Sequence, residues 1–357
     1  MNQNNIFILY ADCVITQGSQ QSTIVDLGRN RLDYIPNDMA LILRECSGKI
    51  NTTFLQKYTV DNQETILGYI KFLIGKQYGS IMPSALADNF PDISFLYKSP
   101  YILEACLYDF SEDEELNGLI IDEVHKLGVH SLVVNFSSCK NKNSVLDFLN
   151  QLRTSRPTEF IIVLSSMLNY SKNDLIQIIE EYPRINKIFV WGKNTDEYHL
   201  GDRVVFTTKK MNEILLFQPS FYTFEISVPF FSQATSFNTG FYKKIYINSV
   251  GDIYNIYGAD HAFGNLKESN LSHVINSTDF QKKWNVNKDI IEVCKDCEFR
   301  RICNDTCDII YDEDKWIRRD KCGYNPYTGE WSEWSTNPLK QKAIEHYGMQ
   351  DLVAEKA

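Results

Sequence analysis

The sequence lacks the features that would place the protein in a membrane or on nucleic acid. No apolar run approaches the roughly 18 residues that a membrane-spanning helix needs. The first residues, MNQNNIFILYADCVITQG, contain no basic segment, and Asp12 interrupts their apolar run, so we expect no secretory signal. Lys and Arg number 36 against 46 Asp and Glu. The resulting net charge of −10 argues against broad binding to nucleic acid or to anionic membranes.

Several catalytic motifs are missing as well. The sequence contains no P-loop, no complete GxGxxG and no Ser–His–Asp elbow, so it gives no support for a phosphate cradle or a hydrolase triad. The cysteines number nine, an odd count. Without a signal peptide, this number favours a reducing, cytoplasmic compartment over a disulfide framework.

Five of the nine cysteines fall within 29 residues near the C-terminus. The first four follow the pattern C-x2-C-x5-C-x3-C, and a fifth closes the set. Two thiolates separated by two residues can bind one ion, because a tight turn brings their Cβ atoms together. A four-thiolate shell of this kind suits either zinc or an iron–sulfur cluster, and both remain open at this point. The five residues are Cys294, Cys297, Cys303, Cys307 and Cys322.

A chain of 357 residues is long enough for two or three domains. In residues 1–85, strand-like segments precede three helices, and this order predicts a winged-helix-like domain. The third helix lacks the row of Lys and Arg that a DNA-binding helix would carry. A linker is predicted over 86–99, where periodicity is weak. The predicted N-terminal strands cover 6–15 and 22–35, and the predicted helices cover 39–46, after a start signal at Pro36-Asn37, 51–58 and 64–74.

Strands and helices alternate from residue 100 to residue 235. A strand recurs about every 25–30 residues, which is the repeat of a βα unit and predicts a parallel sheet or a partial barrel. About six strands are available, fewer than the eight of a closed barrel. Strands are predicted at 101–108, 129–135, 159–164, 185–191, 204–208 and 222–228, and helices at 112–127, 143–153 and 172–182.

The pattern changes again after residue 235. A hairpin is predicted from 242–248 and 252–257, because Ser249-Val-Gly251 between them has turn composition. Phe263-Gly-Asn-Leu266 forms another turn signal, and a helix over 270–284 is predicted to lead into the cysteines.

These C-terminal features resemble the SPASM domain, the C-terminal module of radical SAM enzymes that mature ribosomal peptides. The resemblance rests on Gly251-Asp252 in the hairpin, on the Phe263-Gly264-Asn265 turn and on the cysteine pattern. More narrowly, the chain is similar to the SPASM-type maturases encoded beside ATP-grasp ligases, the grasp-with-spasm systems. That likeness is carried by Trp284, Lys288-Asp289-Ile290, the run from Cys294 to Arg300, and Asn325-Pro-Tyr-Thr-Gly-Glu-Trp331.

The resemblance implies an α/β protein of three parts. An N-terminal winged-helix-like domain (1–85) would recognise a leader peptide, and a degenerate radical-SAM-like partial (β/α)6 barrel (100–235) would follow the linker. A cysteine-rich SPASM domain (236–335) and a polar tail (336–357) would complete the chain.

By the same resemblance, Cys294, Cys297, Cys303 and Cys322 match the ligands of an auxiliary [4Fe–4S] cluster. Cys307 matches a position that ligates a second cluster in other members of the family. The other ligands of that second cluster would lie around 255–275, where this chain has no cysteine. We therefore expect one cluster, with Cys307 as a spare thiol or an alternative ligand.

The chain departs from the family at the catalytic motif. Radical SAM enzymes hold a catalytic cluster with C-x3-C-x2-C after the first barrel strand, and the matching stretch, 102–110, contains only Cys106. The motif that binds S-adenosylmethionine is also absent, since the chain reads Asn135-Phe-Ser-Ser-Cys139 there. We expect neither S-adenosylmethionine binding nor radical SAM activity.

The function implied by the resemblance is peptide maturation in the biosynthesis of ribosomally made natural products (RiPPs). The chain would bind a precursor peptide through its leader and work with an ATP-grasp ligase. Whether it is itself an enzyme stays open, and the sequence designates no catalytic residue. Two alternatives remain, a non-enzymatic adaptor with a structural zinc site and a protein that transfers electrons through its cluster.

Overall fold

A computed structural model describes residues 4–155, 157–192, 198–208 and 224–331. These residues form a mixed α/β structure with one eight-stranded sheet, two three-stranded sheets and two short hairpins. None of the described helices combines the length and hydropathy that a membrane span requires.

The N-terminal part contains two antiparallel three-stranded sheets and three helices. The two predicted strands are each divided in two, because turns interrupt them at 10–12 and 27–30. The sheets have the strand orders β5-β1-β6 and β2-β3-β4. The elements are β1 (Asn5–Leu9), β2 (Cys13–Gln17), β3 (Ser22–Asp26), β4 (Arg31–Ile35), α1 (Asn37–Glu45), β5 (Lys49–Asn51), α2 (Thr52–Leu55), α3 (Val60–Gly75) and β6 (Gly79–Pro83).

The segment that follows β6 joins this part to the central sheet. A 3-10 helix at Ser84–Asn89 is followed by residues 90–102, which contain no helix or strand. Two rings nevertheless attach the segment to later residues. Phe95 contacts Phe231 with ring centroids 4.9 Å apart, and Tyr97 contacts Tyr242 at 6.0 Å.

The eight-stranded sheet has the order β11-β12-β10-β9-β8-β7-β13-β14. Its six central strands are parallel and only the edge strands β11 and β14 are antiparallel. The βα repeat had predicted about six parallel strands. The strands are β7 (Leu103–Asp109), β8 (Val129–Phe136), β9 (Glu159–Ser165), β10 (Ile185–Trp191), β11 (Tyr198–Leu200), β12 (Val204–Thr207), β13 (Lys244–Ile247) and β14 (Ile253–Tyr254), and the helices are α4 (Glu114–Leu127), α5 (Lys142–Gln151) and α6 (Lys172–Glu181).

The sixth parallel strand comes from the predicted hairpin. β13 pairs with β7, with Ile245 opposite Cys106, so the hairpin β13–β14 extends the large sheet across residue 235. Local sequence patterns could not predict this pairing, because β13 lies more than 130 residues after its neighbour β7.

Two predicted elements are wrong in detail. The strand at 222–228 falls partly outside the described residues, and the remainder holds only a bridge between Phe224 and Cys303. Helix α7 (Val228–Ser236) begins there instead, because the Ser227 hydroxyl accepts the N–H of Phe230. The helix at 270–284 is two short helices, α8 (Leu271–Ile275) and α9 (Thr278–Gln281). Ser277 separates them by capping α9 in the same way.

Arg184 connects β10 to the turn that follows α5. Its guanidinium donates to four backbone carbonyls, those of Leu152, Arg153, Ser155 and Pro157, at 2.6–2.9 Å. These carbonyls belong to the 3-10 turn at Leu152–Thr154 and to the residues after it, so one side chain holds the segment that leads from α5 to β9.

Arg184→Met is expected to destabilise the protein by about 2–4 kcal/mol, because charged hydrogen bonds each contribute ~1.5–3 kcal/mol. Arg153→Met is the matched control. Its guanidinium pairs with Glu181 at the surface, where an ion pair contributes below about 1 kcal/mol. Urea unfolding followed by tryptophan fluorescence measures both values, and equal losses in the two variants would contradict the role given to Arg184.

Candidate metal centre

Four of the five clustered cysteines converge on one cavity. The cavity has a volume of about 520 Å³ and lies between the cysteine loop (residues 294–307) and the two short hairpins. Its lining includes Cys294, Cys297, Cys303 and Cys322. The hairpins are β15 (Ile309–Asp312) with β16 (Lys315–Arg318), and β17 (Tyr324–Asn325) with β18 (Glu330–Trp331).

A tight turn presents the first two thiols to the cavity. Val293 has a φ of 68°, a left-handed conformation that is rare for a β-branched residue and reverses the chain before the turn. A 3-10 helix then covers Cys294–Asp296, and the Cys297 N–H donates to the Cys294 carbonyl at 3.0 Å. This is the geometry that the C-x2-C spacing predicted.

Backbone amides donate to two of the sulfur atoms. The N–H of Phe299 lies 3.4 Å from Cys297 Sγ, and the N–H of Tyr324 lies 3.5 Å from Cys322 Sγ. Both donors are two residues after the cysteine that accepts. Hydrogen bonds of this kind stabilise thiolate charge and are among the factors that set the potential of an iron–sulfur cluster.

The fifth cysteine is outside the lining of this cavity. Cys307 is 8% exposed, and its Sγ donates to the Asp308 carbonyl at 3.3 Å and to an Asp320 carboxylate oxygen at 3.7 Å. The structure therefore separates Cys307 from the four converging thiols.

The four thiols line one cavity without forming a compact group. Among the residues that the structure describes, no three of them have sulfur atoms all within 4.8 Å of one another. Four thiolates on one zinc ion would lie about 3.8 Å apart, given Zn–S bonds of about 2.3 Å. In a [4Fe–4S] cluster each thiolate binds a different iron, so its sulfur atoms are further apart. A set of four thiols on one cavity suits either group.

Burial raises the pKa of three of these thiols. It raises the pKa of Cys294 to about 11 and that of Cys303 to about 12, and it raises the pKa of Cys297 well above its usual value. The positive charge of Lys288 opposes part of this shift at Cys294 and Cys303. Metal binding would therefore release protons from the site.

A second group of possible ligands is already paired in part with a protein cation. Asp12, Cys13 and Asp26 place their ligand atoms within 4.8 Å of one another. Arg29 Nε lies 2.6 Å from an Asp26 carboxylate oxygen, so a protein cation already offsets the charge of this group. We assign no metal to it.

The N-terminal sheet is attached to the cysteine loop by polar contacts. Thr23 Oγ1 donates to the carbonyl of Glu298 at 2.8 Å, and Ser19 N–H donates to the carbonyl of Asp296 at 2.8 Å. A Cβ on Gly18 would lie 2.8 Å from the backbone nitrogen of Glu298, so this close approach requires glycine.

Glu298 is the buried centre of this junction. Its side chain is 1% exposed and accepts hydrogen bonds from the Tyr324 hydroxyl at 2.6 Å and from the Gln21 amide at 3.0 Å. It thus joins β17 next to Cys322, the cysteine loop and the N-terminal sheet. Sequence reasoning missed Glu298, and only the position of Gly18 in a turn hinted at a close approach there.

Arg300 and Arg301 are held by one carboxylate. Arg300 Nε lies 2.8 Å from Asp289 Oδ1, and Arg301 Nη2 lies 2.5 Å from Asp289 Oδ2. Both arginines are part of an ion-pair network within the loop.

No protein-family model matches this chain, and no curated protein sequence is significantly similar to it. Fold comparison gives solved structures of SuiB from Streptococcus suis, at 12–14% sequence identity and a TM-score of 0.29. The matches cover 83% of this chain and 94% of that chain. One of these SuiB structures is bound to S-adenosylmethionine and another to the precursor peptide SuiA. The likeness is loose.

Cys297→Ser is expected to abolish metal binding, because it removes a thiol from the cavity wall. Cys307→Ser is the matched control and is expected to retain wild-type metal, since this thiol lies outside the lining. Iron, acid-labile sulfide and zinc are measured on anaerobically purified protein. Equal loss of metal from both variants would show that Cys307 is a ligand.

Proposed function

We propose that this chain is a peptide-maturation protein with one [4Fe–4S] cluster bound by Cys294, Cys297, Cys303 and Cys322. The observation that carries the proposal is the position of these four thiols on the lining of one cavity, and the resemblance of residues 236–331 to SPASM domains favours an iron–sulfur cluster over zinc. A cluster of this kind supplies one-electron transfer when bound. The protein supplies amide donors to the sulfur atoms and a buried environment.

The cluster proposal is tested by metal analysis of the wild-type protein. Anaerobic purification is expected to yield the iron and sulfide of one [4Fe–4S] cluster per chain, with the broad visible absorption of such clusters. A colourless protein with one zinc per chain would contradict the proposal and leave a structural adaptor as the better reading.

Peptide recognition is proposed at the N-terminal sheet. Among the described strands, β4 pairs with β3 alone, so its other edge can accept an extended peptide by main-chain hydrogen bonds. Such addition tolerates varied sequences, as leader recognition requires. Tyr34 on β4 contacts Phe299 with ring centroids 6.0 Å apart, so a peptide on this edge would lie beside the cysteine loop.

The resemblance of residues 236–331 to grasp-with-spasm maturases supplies the second proposed partner, an ATP-grasp ligase.

A precursor peptide is expected to protect the amides of Arg31–Ile35 from hydrogen exchange, because an added strand would bond them. The full-length protein is mixed with the short peptide encoded beside its gene, and exchange is followed by mass spectrometry. β11 (Tyr198–Leu200), another edge strand, is the internal control and should not change. Tight binding without protection at β4 would show that the peptide binds elsewhere.

The carboxyl edge of the large sheet carries a carboxylate where radical SAM enzymes place their catalytic cysteines. Asp109 ends β7 and accepts hydrogen bonds from the Tyr246 hydroxyl at 2.6 Å and from the Asn135 amide at 2.8 Å. Burial raises the pKa of Asp109. Cys106 is fully buried within β7 and points to the core of the sheet.

We therefore expect the cluster-loaded protein to form no 5′-deoxyadenosine from S-adenosylmethionine and dithionite. Chromatography compares the reaction with a sample without protein. Product above that background would show that the chain performs radical chemistry despite its single cysteine in 102–110.

A further inference from the structure

Lys288 is a buried cation on the wall of the cysteine cavity. It is 7% exposed and lines the cavity together with Cys294 and Cys303. Its ammonium donates to the carbonyl of Cys303 at 2.9 Å and to Thr239 Oγ1 at 3.4 Å. Both acceptors are uncharged.

The arginines of the cavity are paired with carboxylates. Arg318 Nε lies 2.8 Å from Asp305 Oδ2, and Arg300 Nε lies 2.8 Å from Asp289 Oδ1, a carboxylate that Arg300 shares with Arg301. Within the described ranges, Lys288 pairs with no carboxylate. It therefore brings an uncompensated positive charge to the four thiols.

A second lysine adds positive charge behind the first. Lys244 on β13 donates to the carbonyl of Thr239 at 2.6 Å, so the two ammonium groups meet at one residue. Burial, followed by the charge of Lys288, lowers the pKa of Lys244 to about 8, and the negative charges of Glu104 and Glu225 oppose part of this shift. An excess of positive charge in a buried region is unfavourable unless an anion compensates it.

We propose that Lys288 is the counter-ion of the metal centre: its ammonium compensates the negative charge of the four-thiolate cluster and stabilises the reduced form over the oxidised form. The inference rests on the proposed cluster. Reduction adds one electron to a group that is already negative, so a fixed cation at its side favours the added charge. Lys288 is thus a positioning residue that tunes the cluster through charge.

The test compares the midpoint potential of the cluster in wild-type protein and in K288M, which keeps an apolar side chain of similar length. Redox titration with dithionite under anaerobic conditions is followed by electron paramagnetic resonance. K288M is expected to hold about tenfold less reduced cluster at a given potential, which corresponds to a shift of about 59 mV to more negative values for one electron. K288R is expected to keep a potential close to that of the wild type, because it retains the charge.

K295M is the matched control. Lys295 lies in the same loop, but it pairs with Glu292 at the surface at 2.8 Å, where water screens its charge. Its loss should leave the potential unchanged. An unchanged potential in K288M with the cluster retained, or a shift in K295M of equal size, would overturn the inference.

Loss of the cluster is informative too. Iron lost from K288M but kept by K288R would support the charge requirement, whereas equal loss from both would show that only the shape of lysine is needed. Wild-type protein without iron or sulfide would contradict the proposed function itself. Wild-type protein that holds the cluster, together with K288M of unchanged potential, would contradict only the role proposed for Lys288.

Discussion

The burial of charge around one cavity is the constraint on which the C-terminal part of this protein depends. Glu298, Asp305 and Lys288 are all nearly inaccessible to water, as are the thiols of Cys303 and Cys307. Each charged group costs free energy in such a place unless a partner compensates it. Arg318 compensates Asp305, whereas Glu298 and Lys288 have only uncharged hydrogen-bond partners. A bound cluster would bring negative charge beside Lys288.

The cysteine loop obtains its shape from outside itself. It contains only short helical turns, so backbone propensity alone does not hold its thiols in place. The N-terminal sheet contacts it through Thr23 and Gly18, and Phe299 packs in a core shared with Val14 and Val25. Arg300 also donates to the carbonyl of Gln17 at 2.5 Å. The proposed peptide edge and the proposed cluster therefore share one packed junction, although they lie at opposite ends of the sequence.

The sequence predicted correctly those elements whose shape depends on residues close together in the chain. The alternation of β7, α4, β8 and α5 follows from the periodicity of apolar residues, and the turn at Cys294–Cys297 follows from the spacing of two cysteines. The failures have non-local causes. The place of β13 beside β7 depends on a partner far away in sequence, and the capping residue Ser277 divided a helix that periodicity alone made continuous.

The sequence likewise predicted only part of the candidate site, namely its cysteines. Cysteine spacing indicated which thiols to consider, and the family resemblance, not the spacing, set Cys307 apart from the other four. The lining of the cavity contains those four and not Cys307. The sequence did not predict the roles of Glu298 and Lys288. These roles depend on burial, and nothing in the neighbouring residues distinguishes the two side chains from ordinary surface charges.

The junction between the N-terminal sheet and the cysteine loop also has a consequence for synthesis on the ribosome. Thr23 binds a residue that is 275 positions later in the chain. At about 5–20 residues per second, a ribosome needs roughly 14–55 s to make that length. Throughout this interval Val25 and Leu27 lack the Phe299 and Ile302 side chains with which they later share a core. The nascent chain thus carries an apolar sheet face that is only partly covered until the last fifth of the chain is made.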